Sequence, residues 1–161
     1  MSVSYCAGDL FTVPAPAALA HGCNCAGAMG KGIAVTFKQK WPRMYQQYKN
    51  LCAAGQFGLG DVFAWEEGGT MIYNLGTQRT WRSGADLEAV RTALARLHAM
   101  LLDAGIAELY LPRIASGLGG LDWNAVKTLI EATFGSSAVR VHVCEDFIAG
   151  SPLRCKDAAQ P

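Results

Sequence analysis

No run of apolar residues in this chain approaches the roughly 18 that a membrane span requires. The first residues, Met1 to Asp9, lack the basic and apolar regions of a secretory signal. A cytoplasmic protein that does not engage membranes is therefore expected. An excess of charge of one sign is also missing. The net charge is +1, which argues against a broad nucleic-acid or membrane surface and leaves room for a local basic pocket. Charged residues make up only 17% and apolar residues 51%, so disorder is excluded and 161 residues bury the core of one domain. No repeat or interdomain linker is visible, which gives one domain over residues 1–150. Metal-binding spacing is lacking too. Cys23-x-Cys25 is too tight for the common zinc pattern and no second Cys/His pair completes it, so no metal and no cofactor are expected. The six cysteines then read as reduced thiols packed as small apolar groups.

The familiar phosphate motifs are absent as well. A Walker loop fails because Gly30-Lys31 is preceded five residues back by Cys25 and followed by Gly32. A dinucleotide fingerprint fails twice: Gly30-x-Gly32 leads to Val35, and Gly117-x-Gly119 leads to Asp122. A nucleoside triphosphatase and a nicotinamide dehydrogenase are both disfavoured.

What is present is a glycine-rich turn. His21 to Ala34 reads HGCNCAGAMGKGIA. It leaves an apolar strand around Ala18-Leu19-Ala20 and enters a helix whose Ile33, Phe37 and Trp41 share one face. Such a turn aims unpaired N–H groups, with the positive end of a helix dipole, at an anion. A second glycine-rich turn, Arg113 to Leu121, follows a short strand, Leu109-Tyr110-Leu111. Glycine turns after two strands meet at one end of a layered sheet, where ligands bind. Two such loops can clamp a diphosphate from both sides.

Elsewhere, Val3 to Cys6 alternates as a first strand. Val62–Trp65 and Met71–Tyr73 flank a hairpin turn whose exit, Asn74 to Arg82, is polar, basic and aromatic. Ser83-x-x-Asp86 fits a capping box before a helix carrying Leu87, Val90, Leu94, Leu97 and Leu101. Asp122 caps a helix with Val126, Leu129, Ile130 and Phe134 on one face, and Val139 to Val143 alternates as the last strand. Residues 151–161 show no periodicity and read as a mobile tail. The fold class is α/β, a three-layer α/β/α sandwich with a mixed, roughly six-stranded sheet.

Several motifs together resemble a macro domain: Gly8-Asp9-Leu10-Phe11, Asn24 with Met29-Gly30-x-Gly32-Ile33-Ala34, and Leu111-Pro112-Arg113-Ile114-x-x-Gly117-Leu118 with Trp123. The similarity runs from about Val3 to Asp146. It is to the branch of terminal ADP-ribose glycohydrolases, antitoxins that remove ADP-ribose from DNA, and ADP-ribose-1″-phosphate phosphatases. It implies an ADP-ribose cleft. Asp9 and Leu10 would meet the adenine and Phe147 would stack on it. Met29, Gly30, Lys31, Gly32 and Ile33, with Arg113, Ile114, Ala115, Ser116, Gly117, Leu118 and Gly119, would hold the diphosphate. Asn24, Thr77 and Gln78 would lie at the distal ribose. The partner would be ADP-ribose, or an ADP-ribosylated protein or nucleic acid, with no obligate protein partner evident.

The catalytic lysine of the glycohydrolases is Gln78 here, and their loop carboxylate is Gly119. A glutamine amide forms no Schiff base, so that covalent route does not carry over. His21 and Asn24 remain as candidate catalytic residues, His21 as an acid or base or else as a buried strand histidine. The expected activity is hydrolysis at the distal ribose. The alternative is a non-catalytic ADP-ribose reader.

Overall fold

Alternation between period-2 and period-3.6 apolar patterns makes strands and helices follow one another along most of the chain. The computed structural model describes residues 2–157. Its strands are β1 (Val3–Gly8), β2 (Ala17–Asn24), β3 (Val62–Glu67), β4 (Thr70–Gln78), β5 (Glu108–Pro112), β6 (Arg140–Phe147) and β7 (Arg154–Asp157). Its helices are α1 (Ile33–Lys40), α2 (Pro42–Ala53), α3 (Leu87–Asp103) and α4 (Trp123–Phe134). The strands form one sheet in the order β3-β4-β2-β5-β6-β1-β7. The inner five, β4 to β1, run parallel, and the hairpin strand β3 and the edge strand β7 run antiparallel.

Each face of this sheet carries its own core. Ala18, Ala20, Leu109, Leu111, Val141 and Val143 face α3 and α4, against fully buried Leu94, Leu97, Leu101, Ile130 and Phe134. Burial of each such side chain is worth about 1.5–3 kcal/mol. Leu19, Cys23, Ile72 and Cys144 face the other way, toward Phe37 of α1 and Met44 and Tyr48 of α2. The expected three layers are present.

Three details differ from the expectations. The sheet has seven strands among the described residues, where roughly six are expected. The extra one is β7, which pairs Arg154 with Ala7 and Lys156 with Tyr5 in a segment expected to be an unstructured tail. Arg154, Cys155 and Lys156 are exposed, so this edge strand has no buried face and leaves no apolar alternation to read. Residues 158–161 lie outside the described ones. Cys155 is disulfide-bonded to Cys6, which corrects the expectation that all six cysteines are reduced; Cys23, Cys25, Cys52 and Cys144 are free. Asp86 itself caps α3, accepting from the N–H of Glu88 and Ala89, in place of a box begun by Ser83. Among the described residues no helix is long and apolar enough to cross a membrane.

Candidate functional site

Because β4, β2, β5, β6 and β1 are parallel, their C-terminal ends share one edge of the sheet. That edge reads, in order, Gln78, Asn24, Pro112, Phe147 and Gly8. At about 4.8 Å per strand it spans about 19 Å, long enough for an elongated ligand lying across the strands.

A cavity of about 560 Å³ occupies the β4–β2–β5 part of this edge. Both glycine turns line it. Asn24 and residues 28–34 form one wall, residues 112–115 and 117–119 the other, and Thr77, Gln78 and Trp81 close the end. The walls approach closely: a side chain started at Gly32 would meet a Leu118 methyl at 3.5 Å. Gly32 has φ +64° and precedes α1, whose first turn holds no acidic residue. Among the described residues the backbone N–H groups of the wall residues 29–34 and 117–119 donate to no protein acceptor. Two stretches of unpaired donors, one at a helix N-terminus, thus line a common space. Among the described residues no aspartate or glutamate lines that space, whereas Lys31 and Arg113 do. Ala115 takes a left-handed φ of +63°, a conformation that costs a non-glycine residue about 1–3 kcal/mol. It lies at the bend that turns the second loop back over the cavity.

Asn24 shapes the first wall. Its Oδ1 accepts from the N–H of Ala26 (3.0 Å) and Ala28 (3.2 Å) and from the Tyr48 hydroxyl (2.9 Å), and its Nδ2 donates to Ala28 O (2.8 Å). One Nδ2 hydrogen remains for a ligand. Gln78 donates through Nε2 to Thr80 O at 2.9 Å, which ties it into the Thr80–Ser83 turn. The thiol of Cys23, in the core beside His21, is pushed well up by burial, so it does not serve as a thiolate nucleophile at neutral pH.

His21 is not where a cleft acid or base must be. It is fully buried, absent from the cavity wall, and stacked on Phe37 at 3.8 Å. Its Nε2–H donates to Asn74 Oδ1 at 2.6 Å. Burial lowers its pKa from the ordinary 6.5 to about 4, against the opposing effect of the hydrogen bond to Asn74. The imidazole is a neutral core group, which corrects its candidacy as a catalytic residue.

A pH dependence follows. Between pH 6.5 and 4 the unfolded chain carries a proton at His21 that the folded chain refuses. Stability is therefore full above that window and falls as pH drops through it, by about 3 kcal/mol in all. Urea unfolding at pH 7 and pH 5 should show a loss that is markedly smaller in His21→Gln. Equal losses in the two proteins would contradict this account.

The remaining expected site residues fall outside the cavity. Ser116 is in the second loop but not on its wall. Asp9, Leu10 and Phe147 lie further along the edge, past β5. Asp9 accepts from the N–H of Phe11 (2.9 Å) and of Gly150 (2.8 Å). The Leu10 side chain is fully buried, so only its backbone is available, while Phe147 is 43% exposed and edge-on to Phe11. The cavity wall adds Gly22, Cys23, Ala28, Ala34, Pro112 and Trp81. Trp81 is 56% exposed. The Arg82 guanidinium lies 6.0 Å from its ring centre. The polar, basic and aromatic composition of this segment was the signal for it.

Residues 20–130 match the family model described as the macro domain. The chain is 33% identical over 141 residues to an ADP-ribose glycohydrolase of Bos taurus, covering 88% of this chain and 90% of that protein. It is 32% identical over 136 residues to the DNA ADP-ribosyl glycohydrolase of Mycobacterium tuberculosis, covering 82% of this chain. Only 38% of that relative's length is spanned. The macrodomain of Thermus aquaticus DarG superposes with a TM-score of 0.81 at 32% identity, covering 89% of this chain and 97% of that one.

Proposed function

Because the chain belongs to the macro domain family, we propose that it binds ADP-ribose along the C-terminal edge of the sheet and hydrolyses the bond at C1 of the distal ribose. The observation that carries this reading is the pair of glycine loops with unpaired N–H groups that line one cavity, where no carboxylate stands among the described residues. They suit a diphosphate. Asp9 and Phe147 take the adenine, by its amino group and by its face. Asn24 orients the distal ribose with its spare amide hydrogen, beside Thr77 and Gln78. The names of the bovine and mycobacterial relatives suit the same activity.

The cavity wall holds no carboxylate, and His21 is shut away. The chemistry therefore rests on stabilising charge. In an oxocarbenium-like transition state the bond to the leaving group is largely broken when water attacks C1. The substrate's own diphosphate, fixed by the two loops, lies close to the positive sugar and stabilises it. Incubation with ADP-ribose-1″-phosphate, ADP-ribosylated DNA and ADP-ribosylated protein should release product from at least one. Tight ADP-ribose binding with no release from any, at high enzyme concentration, selects a non-catalytic reader instead.

A specific observation favours nucleic acid as the carrier. Trp81 stands at the ribose end of the cavity, and Lys31, Arg79, Arg82 and Arg113 form no ion pair among the described residues. A base stacked on an aromatic ring is worth about 1–3 kcal/mol. Trp81→Ala should therefore raise KM for ADP-ribosylated single-stranded DNA by about 5- to 150-fold and change the affinity for free ADP-ribose far less. Binding of that DNA should also weaken as salt rises. Equal effects on both ligands, or no salt dependence, would remove the nucleic-acid carrier.

A further inference from the structure

Away from the cleft, β1, β6 and β7 bring two sulfurs and an imidazole together. Cys6 lies opposite Cys155 across the antiparallel β1–β7 pair, and Ser4 lies beside His142 across the parallel β1–β6 pair. The two Sγ atoms and a ring nitrogen of His142 lie within 4.8 Å of one another. The imidazole is held on every side. Its Nδ1 is 2.7 Å from Ser4 Oγ, its Nε2 is 3.1 Å from Glu108 Oε1, and Tyr110 stacks on the ring at 4.7 Å. A ring nitrogen resting on a carboxylate fixes the tautomer and orientation of a histidine whose other nitrogen binds metal. Cys6 is buried and Cys155 exposed, so the spot opens to solvent at the sheet edge. A disulfide that merely stapled β7 to β1 would need no carboxylate-held imidazole beside it.

We propose that the reduced Cys6–Cys155 pair and His142 Nδ1 form a zinc site, and that disulfide and metal are alternative states of the same two sulfurs. A dithiol reductant supplies two electrons and two protons, opening the bond into two thiols and becoming a cyclic disulfide itself. Zn²⁺ then displaces the two thiol protons to solvent and takes two thiolates as ligands. His142 joins as the neutral imidazole by exchanging the Ser4 hydroxyl for the metal, and water fills the fourth position. Thiolate and imidazole donors suit zinc over magnesium or calcium. The ligands come from residues 6, 142 and 155, so no spacing motif announces them. Either state fastens β7, and with it the Ile148–Leu153 turn, whose Gly150 N–H and Ser151 carbonyl hold Asp9.

Cobalt titration of the whole protein, reduced with dithiothreitol and freed of it without oxygen, tests the site. One equivalent of Co²⁺ should give thiolate charge-transfer absorption and tetrahedral visible bands, and Zn²⁺ should displace it. The oxidised protein should give neither. Cys155→Ser, at an exposed edge position that does not threaten the fold, and His142→Ala should each abolish the bands. Glu108→Gln should weaken binding about 10- to 100-fold. The double variant Cys25→Ser/Cys52→Ser should keep the bands, because those half-buried thiols lie elsewhere. No saturable bands in the reduced protein, bands that survive Cys155→Ser, or loss only in the Cys25/Cys52 variant would overturn the proposal. None of these readings depends on ADP-ribose.

Discussion

Gly117→Trp should abolish ADP-ribose binding while the empty protein melts where the parent does. A side chain started at Gly117 meets no atom within 4 Å, and the residue does not sit at a left-handed φ. The backbone therefore accepts a large residue without strain, and Gly117 lines the cavity between the two glycine walls. An indole there takes the volume assigned to the diphosphate. A loss of at least about 100-fold in affinity, or about 2.7 kcal/mol, is expected by calorimetry. Gly119→Ala makes the contrast. Its new methyl would lie 2.5 Å from Ala115 O, so that change should lower stability as well as affinity. Unaltered affinity in Gly117→Trp, with the fold intact, would mean that the ligand lies elsewhere.

Asn24→Ala should cost stability and function together. The amide supplies both polar ends of the first loop: three donors converge on Oδ1 and Ala28 O accepts from Nδ2. Removing it leaves two backbone N–H groups short of their acceptor in a part-buried corner, while the Tyr48 hydroxyl keeps Asn24 O at 2.7 Å and still reaches Ala28 O at 3.4 Å. Each group left unsatisfied costs about 1–3 kcal/mol. A loss of several kcal/mol in chemical denaturation is expected, with product release falling below detection. Tyr48→Phe removes one hydroxyl, which also reaches Asn24 O at 2.7 Å. It should cost only about 1 kcal/mol and leave most of the activity. If Asn24→Ala melted normally and still turned over, the amide would neither build the loop nor orient the ribose.

The helices and the parallel core were legible because their apolar periods are long and regular. Leu94, Leu97 and Leu101 on α3 and Val141 and Val143 on β6 mark their inner faces without help. The two glycine turns were legible because glycine runs between a strand and a helix admit few other uses. β7 was not, since an exposed edge strand held by backbone pairing and one disulfide carries no apolar signature. His21 shows the limit most clearly. As a residue type near a glycine turn it suggests acid–base chemistry. Strand parity puts it on the same face as Leu19 and Cys23, opposite Ala18 and Ala20, and therefore under Phe37. Counting that parity along β2 would have placed it in the core. The commitment of the Asn24 amide to its own loop depends on Tyr48, which arrives from α2 and leaves no trace in the motif.

A crystal of the protein soaked with ADP-ribose is the most direct measurement. The diphosphate should lie between the two walls, taking hydrogen bonds from N–H groups of both residues 29–34 and residues 117–119, with the distal ribose beside Asn24. A diphosphate that touches one loop alone, or sits outside the cavity, would contradict the account.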